Sequence, residues 1–178
     1  SYDSSGNGIS LHAGSSIQVG NADNALGEVL LRAPRIDSNA DFKDDSLNIS
    51  MLDGEINGYQ GKGLYAEAVK IYQETDGRVD ANDIERYRKD AETLMSIANQ
   101  QAVKSLHNDL QLIPGIEIRS PGDLILSAEL NTVNQMVNWR PKVWHFDTPD
   151  PSQDKAVGHL MLRAGGDLKL QQSVSDGF

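Results

Sequence analysis

The chain has 178 residues, a formal net charge of −10 and no cysteine, so disulfide bonds and thiolate metal sites are excluded. An acidic chain of this size repels nucleic acid phosphates and anionic lipid, and neither is expected as a partner. No run of about 18 apolar residues is present that would cross a membrane as a helix.

The first element is a strand–turn–strand unit at residues 8–19, GISLHAGSSIQV. Apolar or small residues occupy alternate positions, stop at residues 14–16 and then resume, which is typical of two short strands joined by a tight turn. A partial copy follows 20 positions later, and residues 47–51 resemble another. In the partial copy Val29, Leu31 and Ala33 repeat Ile9, Leu11 and Ala13.

Between Asp80 and His107 the glycines disappear and the apolar period changes to steps of three and four residues. This spacing predicts one α-helix over residues 80–107, inserted into the repeat, with Ser96–Asn99 as the place where it would divide into two. Asp80 is the expected N-cap, with Asp83 three residues later. We expect the helix to pack along the repeat or over its edge; the alternative is docking of another chain. The predicted buried positions are Ile84, Tyr87, Ala91, Leu94, Ala98, Gln101 or Ala102, and Leu106.

Two further copies of the unit lie at residues 115–126 and 158–170, separated by an irregular stretch at residues 131–158. Three prolines in that stretch exclude a regular central strand, so it is predicted to be a long loop. The two copies align without a gap. The matched columns are Ile116 with Leu160, Ile118 with Leu162, Ser120 with Ala164, Leu124 with Leu168, and Leu126 with Leu170.

A period near 20 residues with glycine corners predicts a mainly β protein, a β-solenoid whose stacked coils bury faces that one unit cannot bury alone. The gap-free alignment favours this fold over the alternative, a β-sandwich with similar hairpins. The pattern begins inside one unit and stops just after another. We therefore expect residues 1–178 to be a single solenoid segment of a larger chain, with open strand edges that permit end-to-end self-association.

Several strings resemble the filamentous-haemagglutinin-like exoproteins of bacterial two-partner secretion. They are LLRAPRID at 30–37, EINGYQGKGLYAEAVKIYQ at 55–73, PGIEIRSPGDLIL at 114–126, NWRP at 138–141 and GHLMLRAGGDLKLQQSVSDGF at 158–178. The resemblance covers nearly the whole chain in the same order. It implies a right-handed parallel β-helix, export through an outer-membrane transporter barrel, and roles in cell adhesion and virulence.

No catalytic motif is present: the chain has no Ser-His-Asp order, phosphate-binding glycine loop or HExxH string. The four histidines lack the spacing of a ligand pair, so no metal site, cofactor or enzymatic activity is expected. Acidic residues at 41–45, and Asp53 with Glu55, are interpreted as solvated rather than as calcium ligands. Asp123 and Asp167 follow glycine at corners, where side-chain-to-backbone bonds form turns.

The candidate binding residues are Trp139, Arg140, Trp144 and His145 in the predicted loop. Two tryptophans five residues apart suit stacking on sugar rings or filling a pocket of a partner, and a neighbouring guanidinium adds charge recognition. The alternative is that the loop folds back and buries both rings as a small second core.

The function expected from these features is a structural and adhesive segment of a secreted or surface-displayed bacterial exoprotein at the outer membrane. It would contact a host glycan or protein receptor without covalent chemistry. The alternative is a carbohydrate-binding module or a carbohydrate-active β-helix enzyme, for which paired carboxylates would have to converge in a groove.

Overall fold

The computed structural model describes residues 8–20, 27–36, 46–127, 145–146 and 156–171. Within these ranges the chain is mainly β with mostly parallel pairing, as predicted, and neither of the two helices has the length and apolarity needed to cross a membrane. The helices are α1 (Ala81–Leu94) and α2 (Ile97–Leu106). The strands are β1 (Ile9–Leu11), β2 (Ser16–Gln18), β3 (Gly27–Ile36), β4 (Ser46–Leu47), β5 (Ile49–Leu52), β6 (Glu55–Asn57), β7 (Tyr59–Gln73), β8 (Arg78–Val79), β9 (Gln111–Ser120), β10 (Leu124–Leu126), β11 (His145–Phe146), β12 (Ala156–Val157), β13 (His159–Ala164) and β14 (Leu168–Leu170).

The chain divides into two compact units. The first comprises residues 1–69 and 94–113, and the second comprises residues 70–93 and 114–178. β7 and β9 each contribute residues to both units.

In the first unit, like side chains stack from one parallel strand to the next. β1 pairs with β5, β2 with β6, and β3 with the part of β7 that lies in this unit, while β4 pairs antiparallel with β3. The predicted alternation in β3 is confirmed, since Val29, Leu31 and Ala33 are buried and Leu30 is 45% exposed. The stacked apolar pairs include Ile9 with Ile49, Ile17 with Ile56, Val29 with Leu64, and Ala33 with Ala68.

One corner of the first unit requires glycine. Gly58 has φ +84°, and a Cβ atom placed there would lie 1.5 Å from the carbonyl oxygen of Val19. Gly14 has a similar φ of +85° but nothing within 4 Å of an added Cβ. The first glycine is thus needed for close approach of two backbones, and the second only for its backbone conformation.

In the second unit, the columns predicted from the repeat are the observed register. β9 pairs with β13 in parallel, with Ile116 beside Leu160 and Ile118 beside Leu162. β10 pairs with β14, with Leu124 beside Leu168, and β8 pairs with the other side of β10. The copies at residues 115–126 and 158–170 are therefore adjacent layers of one stack.

The spacing of the repeat along the chain differs from its spacing in the stack. Copies 20 residues apart do not pair: Ile9 lies beside Ile49, 40 residues on, and Val29 lies beside Leu64, 35 residues on. Ile116 and Leu160 are 44 residues apart. The 20-residue spacing therefore relates strands of different stacks, because the chain completes other strands before it returns to the same column.

The predicted helix over residues 80–107 is two helices, divided at the place that the sequence offered for a break. Asp80 caps α1, since its Oδ1 accepts bonds from the N–H groups of Asn82 at 2.7 Å and Asp83 at 3.2 Å. The Asp83 carboxylate accepts the N–H of Asp80 at 3.1 Å, which completes a reciprocal cap. Ser96 begins α2 by accepting the N–H of Asn99.

The break changes which residues of the second helix are buried. Ile84, Tyr87, Ala91 and Leu94 are buried as predicted, but Ala98, Gln101 and Ala102 are exposed. Gln100 and Val103 are buried instead. A continuous helix would have kept the apolar face in phase, whereas a new N-cap at Ser96 lets α2 begin with a different rotation.

Candidate functional site

Three of the predicted binding residues, Trp139, Arg140 and Trp144, lie outside the described residues. The fourth, His145, lies in β11, and its backbone pairs with Val157 of β12 in an antiparallel ladder. The grouping of these four side chains into a binding surface therefore stays a prediction.

Phe146 shows that the described part of the predicted loop folds back onto the second unit. Its side chain is 3% exposed, and a Cβ atom added to Gly158 would lie 3.1 Å from its ring and 3.4 Å from Pro114. The β11–β12 ladder also places Phe146 beside Ala156. The segment that carries the tryptophans is thus followed at once by an anchored residue.

A group of ionisable side chains in the second unit connects the end of β7 to α1; we call it the β7–α1 network. Lys70, Tyr72 and Glu74 alternate along the strand and just beyond it, so their side chains share one face. The helix contributes side chains three and four residues apart, which also share one face. Its helical members are Asp83, Arg86, Tyr87 and Asp90.

Asp90 is the buried centre of one half of this network. The Lys70 ammonium lies 3.1 Å from its Oδ1 and 3.0 Å from its Oδ2, and the Tyr72 hydroxyl donates to the same carboxylate. The Lys70 and Asp90 side chains are only 15% and 5% exposed. A charge this far from water requires a partner of opposite charge, and here Lys70 and Asp90 are partners to each other.

Glu74 is the centre of the other half. It accepts a hydrogen bond from the hydroxyl of the fully buried Tyr87, and the Arg86 guanidinium donates to it at 3.1 Å. The same guanidinium donates to Asp83 at 2.9 Å. The two halves meet where the rings of Tyr72 and Tyr87 lie 4.1 Å apart between centroids.

Burial shifts the pKa values of Tyr87 and Asp83 in this network. Burial, and then the hydrogen bond to Glu74, raise the pKa of Tyr87 far above its ordinary value, so the phenol stays a proton donor at neutral pH. Burial also raises the pKa of Asp83. Donors and acceptors satisfy one another within the network, and this arrangement holds α1 against the strand.

A second buried carboxylate joins adjacent layers of the second unit. Glu117 of β9 is fully buried, and its Oε1 lies 2.7 Å from Nε of Arg119 and 2.7 Å from Nε of Arg163 in β13. The two arginines are register neighbours. One carboxylate thus screens two like charges that stacking brings together, and these three groups carry a net charge of +1.

The outermost described layer of the second unit presents apolar side chains to solvent. Leu124 and Leu126 of β10 are fully buried, whereas Leu168 and Leu170, stacked on them in β14, are 45% and 54% exposed. In the described part of the chain β14 pairs only with β10. Among the described residues the apolar columns therefore end in this layer, which we call the β14 edge.

The corner beside this edge repeats from layer to layer. Oδ1 of Asp123 accepts the N–H of Asp167 at 2.9 Å, and Gly166 donates to the carbonyl of Gly122 at 2.9 Å. The Asp123 carboxylate also binds the Lys169 ammonium, and that bond lowers the pKa of Asp123. The predicted side-chain-to-backbone bond of Asp123 exists, but it joins two layers instead of closing its own turn.

Sequence reasoning missed the β7–α1 network and the Glu117 pair. Tyr87 was predicted to be buried, yet its partners on β7 lie outside the helix pattern. Two signals were available: Lys70 and Tyr72 continue the alternation of buried Ala66 and Ala68, and Glu117 interrupts an apolar strand. No three histidine, aspartate or glutamate side chains are grouped for metal binding within the described ranges.

Comparisons of the chain with protein-family models, with curated proteins and with solved structures give no match.

Proposed function

We propose that this chain is a right-handed parallel β-helix segment of a secreted or surface-displayed bacterial exoprotein of the filamentous-haemagglutinin-like kind. Its role is structural and adhesive: a stack of parallel strands holds binding segments away from the cell surface. The parent chain would reach the surface through an outer-membrane transporter barrel.

The observation that carries this proposal is the register of the second unit. Two sequence copies 44 residues apart form neighbouring parallel layers, and the residues that share a column in the alignment lie beside each other in the sheets. Stacked identical columns are the way in which repeat proteins build an extended core from units that are unstable alone. The two layers bond to one another through the β9–β13 and β10–β14 ladders, and such ladders make a stack rigid.

The place of the tryptophan-bearing segment supports the adhesive part of the proposal. This segment follows β10 and ends in the β11–β12 ladder, directly before β13. In chain order it thus lies between the strands of two stacked layers, and buried Phe146 follows it. A segment rooted in a rigid stack loses less conformational freedom on binding, and this favours affinity.

The test uses the 178-residue chain on a panel of host glycans, polysaccharides and host cells. Retention and newly formed reducing sugar ends are measured together, for the wild type and for a Trp139→Ala/Trp144→Ala variant. A Leu30→Lys variant, which changes an exposed leucine in the first unit, is the matched control. Far-UV circular dichroism establishes that all three chains are folded.

Retention without new sugar ends, lost in the tryptophan variant and kept in the Leu30→Lys control, supports the adhesive role. New reducing ends would contradict it and support a carbohydrate-active enzyme. Retention confined to one free polysaccharide class, with no binding to cells, would favour a carbohydrate-binding module instead. The absence of any retention would refute the adhesive part for this segment and leave a purely structural role.

A further inference from the structure

We propose that the β14 edge binds the outer edge of β2 in a second copy of this chain, so that copies associate head to tail. The second copy would continue the stack as one more parallel layer. This inference rests on the parallel stacking in the proposed function, and it is independent of the adhesive role.

The hydrogen bonds of β14 show which of its backbone groups face outward. The Leu124 N–H donates to the carbonyl of Asp167 at 2.9 Å, and the Gln171 N–H donates to the carbonyl of Leu126 at 3.0 Å. In a parallel strand successive residues direct their backbone groups to opposite sides. The N–H and C=O groups of Leu168 and Leu170 therefore point away from β10, towards the outer edge.

In β2 the residues that align with Leu168 and Leu170 direct their backbone groups the other way, towards the neighbouring strand β6. The Glu55 N–H donates to the carbonyl of Ser15 at 3.0 Å, and the Val19 N–H donates to the carbonyl of Asn57 at 2.9 Å. The backbone groups of Ser16 and Gln18 consequently point away from β6. In the described part of the chain β2 pairs only with β6, so no described strand lies along this second edge.

The two edges fit in the register that the repeat defines. Alignment of the copies at residues 8–19 and 158–170 places Ile17 on Leu168 and Val19 on Leu170. In this register the Leu168 N–H meets the carbonyl of Ser16, and the Gln18 N–H meets the carbonyl of Leu168. The same alternation joins β10 to β14 within one chain.

The side chains and the corner fit in the same register. Exposed Leu168 and Leu170 would be covered by Ile17 and Val19, as they themselves cover Leu124 and Leu126. Ser16 aligns with Asp167, so the exposed Asp167 carboxylate would accept the Ser16 N–H. Asp123 accepts the Asp167 N–H in this way one layer below.

The two edges are different surfaces, so the contact is heterologous. Both edge strands have three residues, so we expect an interface below about 1,200 Å² and association that depends on protein concentration. We take a second copy as the occupant because its β2 supplies both requirements, backbone groups that point outward at Ser16 and Gln18 and apolar side chains in the register of Leu168 and Leu170.

The test blocks one edge at a time and then mixes the blocked chains. Leu170→Pro removes an outward N–H at the β14 edge, and Gln18→Pro removes one at the β2 edge. Both positions should tolerate proline because, among the described residues, these N–H groups point away from the neighbouring strand. Sedimentation velocity is measured over a wide range of concentration. Each variant alone should stay monomeric, and an equimolar mixture should reach twice the monomer mass and no more.

A second pair of variants guards against misfolding. Leu168→Lys and Leu30→Lys replace leucines that are each 45% exposed; the first should abolish association and the second should leave it unchanged. A monomeric wild type at every concentration would overturn the proposal. So would association of either blocked variant alone, or a mixture of the two that stays monomeric. None of these results would affect the glycan and cell-binding test.

Discussion

Removal of the Asp90 charge should destabilise the second unit more than any surface ion pair can. Asp90→Asn keeps the shape of the side chain and leaves the Lys70 ammonium, which is only 15% exposed, beside a neutral amide. Breaking a buried pair by removing one partner costs about 3–5 kcal/mol. The Tyr72 hydroxyl still finds an acceptor in the amide oxygen, so we expect a loss near the lower limit, about 3 kcal/mol.

The matched control is Glu92→Gln on the same helix. Glu92 pairs with Arg88, but their side chains are 50% and 25% exposed, so its loss should cost below about 1 kcal/mol. Urea unfolding followed by circular dichroism gives both free energies of unfolding, provided that the slope with urea is unchanged.

A third variant separates the charge from the packing. Lys70→Met/Asp90→Leu removes both ions and replaces them with apolar side chains of similar shape, so it should recover most of the stability lost in Asp90→Asn. Equal free energies of unfolding for Asp90→Asn and Glu92→Gln would refute the reasoning, because Asp90 would then be solvated. Failure of the double variant to recover stability would show that the pair is needed for more than charge compensation.

Four further predictions concern single positions. Tyr87→Phe should cost about 1.5–3 kcal/mol at neutral pH, since the partly buried Glu74 carboxylate loses a donor. Folding raises the pKa of Tyr87 above the ordinary 10.0. The contribution of the protonated phenol to the free energy of unfolding is therefore fully present below pH 10 and declines above it. Urea unfolding on both sides of that pH should show a smaller decline of this free energy for Tyr87→Phe than for the wild type. Gly14→Ala should cost roughly 1–2 kcal/mol of stability for its positive φ alone. Gly58→Ala should cost roughly 1–3 kcal/mol more, because its Cβ atom would also clash with Val19. Equal decreases in melting temperature for the two variants would contradict the close approach of Gly58 and Val19. Ser96→Ala should cost about 1 kcal/mol by loss of the α2 cap, whereas substitution of the neighbouring exposed Ile97 by Ala should change thermal stability little. The Lys169 ammonium lowers the pKa of Asp123 from 3.8. The contribution of the Asp123 carboxylate to the stability of the folded chain is therefore present above that pH and is lost as the pH falls through the lower folded value. A carbon-detected NMR titration should show the pKa of Asp123 rising in Lys169→Met, and an unchanged pKa would exclude the Lys169 bond as the cause of the shift.

The strand content and the register of the second unit followed from the sequence because they depend on local alternation. Leu124 and Leu168 share a column in the alignment and in the sheet, since a slip of one residue would turn every apolar side chain to solvent. The capping of α1 by Asp80 was also readable, because a cap involves only residues within one turn.

The longer-range features were not readable in the same way. The partner of Ile9 is Ile49 and not Val29, although all three fit the same pattern. Alternation specifies which face is buried, but it does not specify which of several equivalent strands lies alongside. The rotation of α2 depended on a single cap at Ser96, and the burial of Glu117 depended on two arginines, one of them 46 residues away along the chain.

The stacking of the two repeat copies is tested most directly by disulfide trapping, since the natural chain has no cysteine. Ile125 and Lys169 are register neighbours, about 4.8 Å apart across adjacent strands, and this separation is within the range that a disulfide spans. Gln171 is two residues further along and about 8 Å from Ile125. We predict that Ile125→Cys/Lys169→Cys oxidises to an intramolecular disulfide and that Ile125→Cys/Gln171→Cys does not. Oxidation of the second pair in preference to the first, or of neither, would contradict the in-register stack on which the proposed function depends.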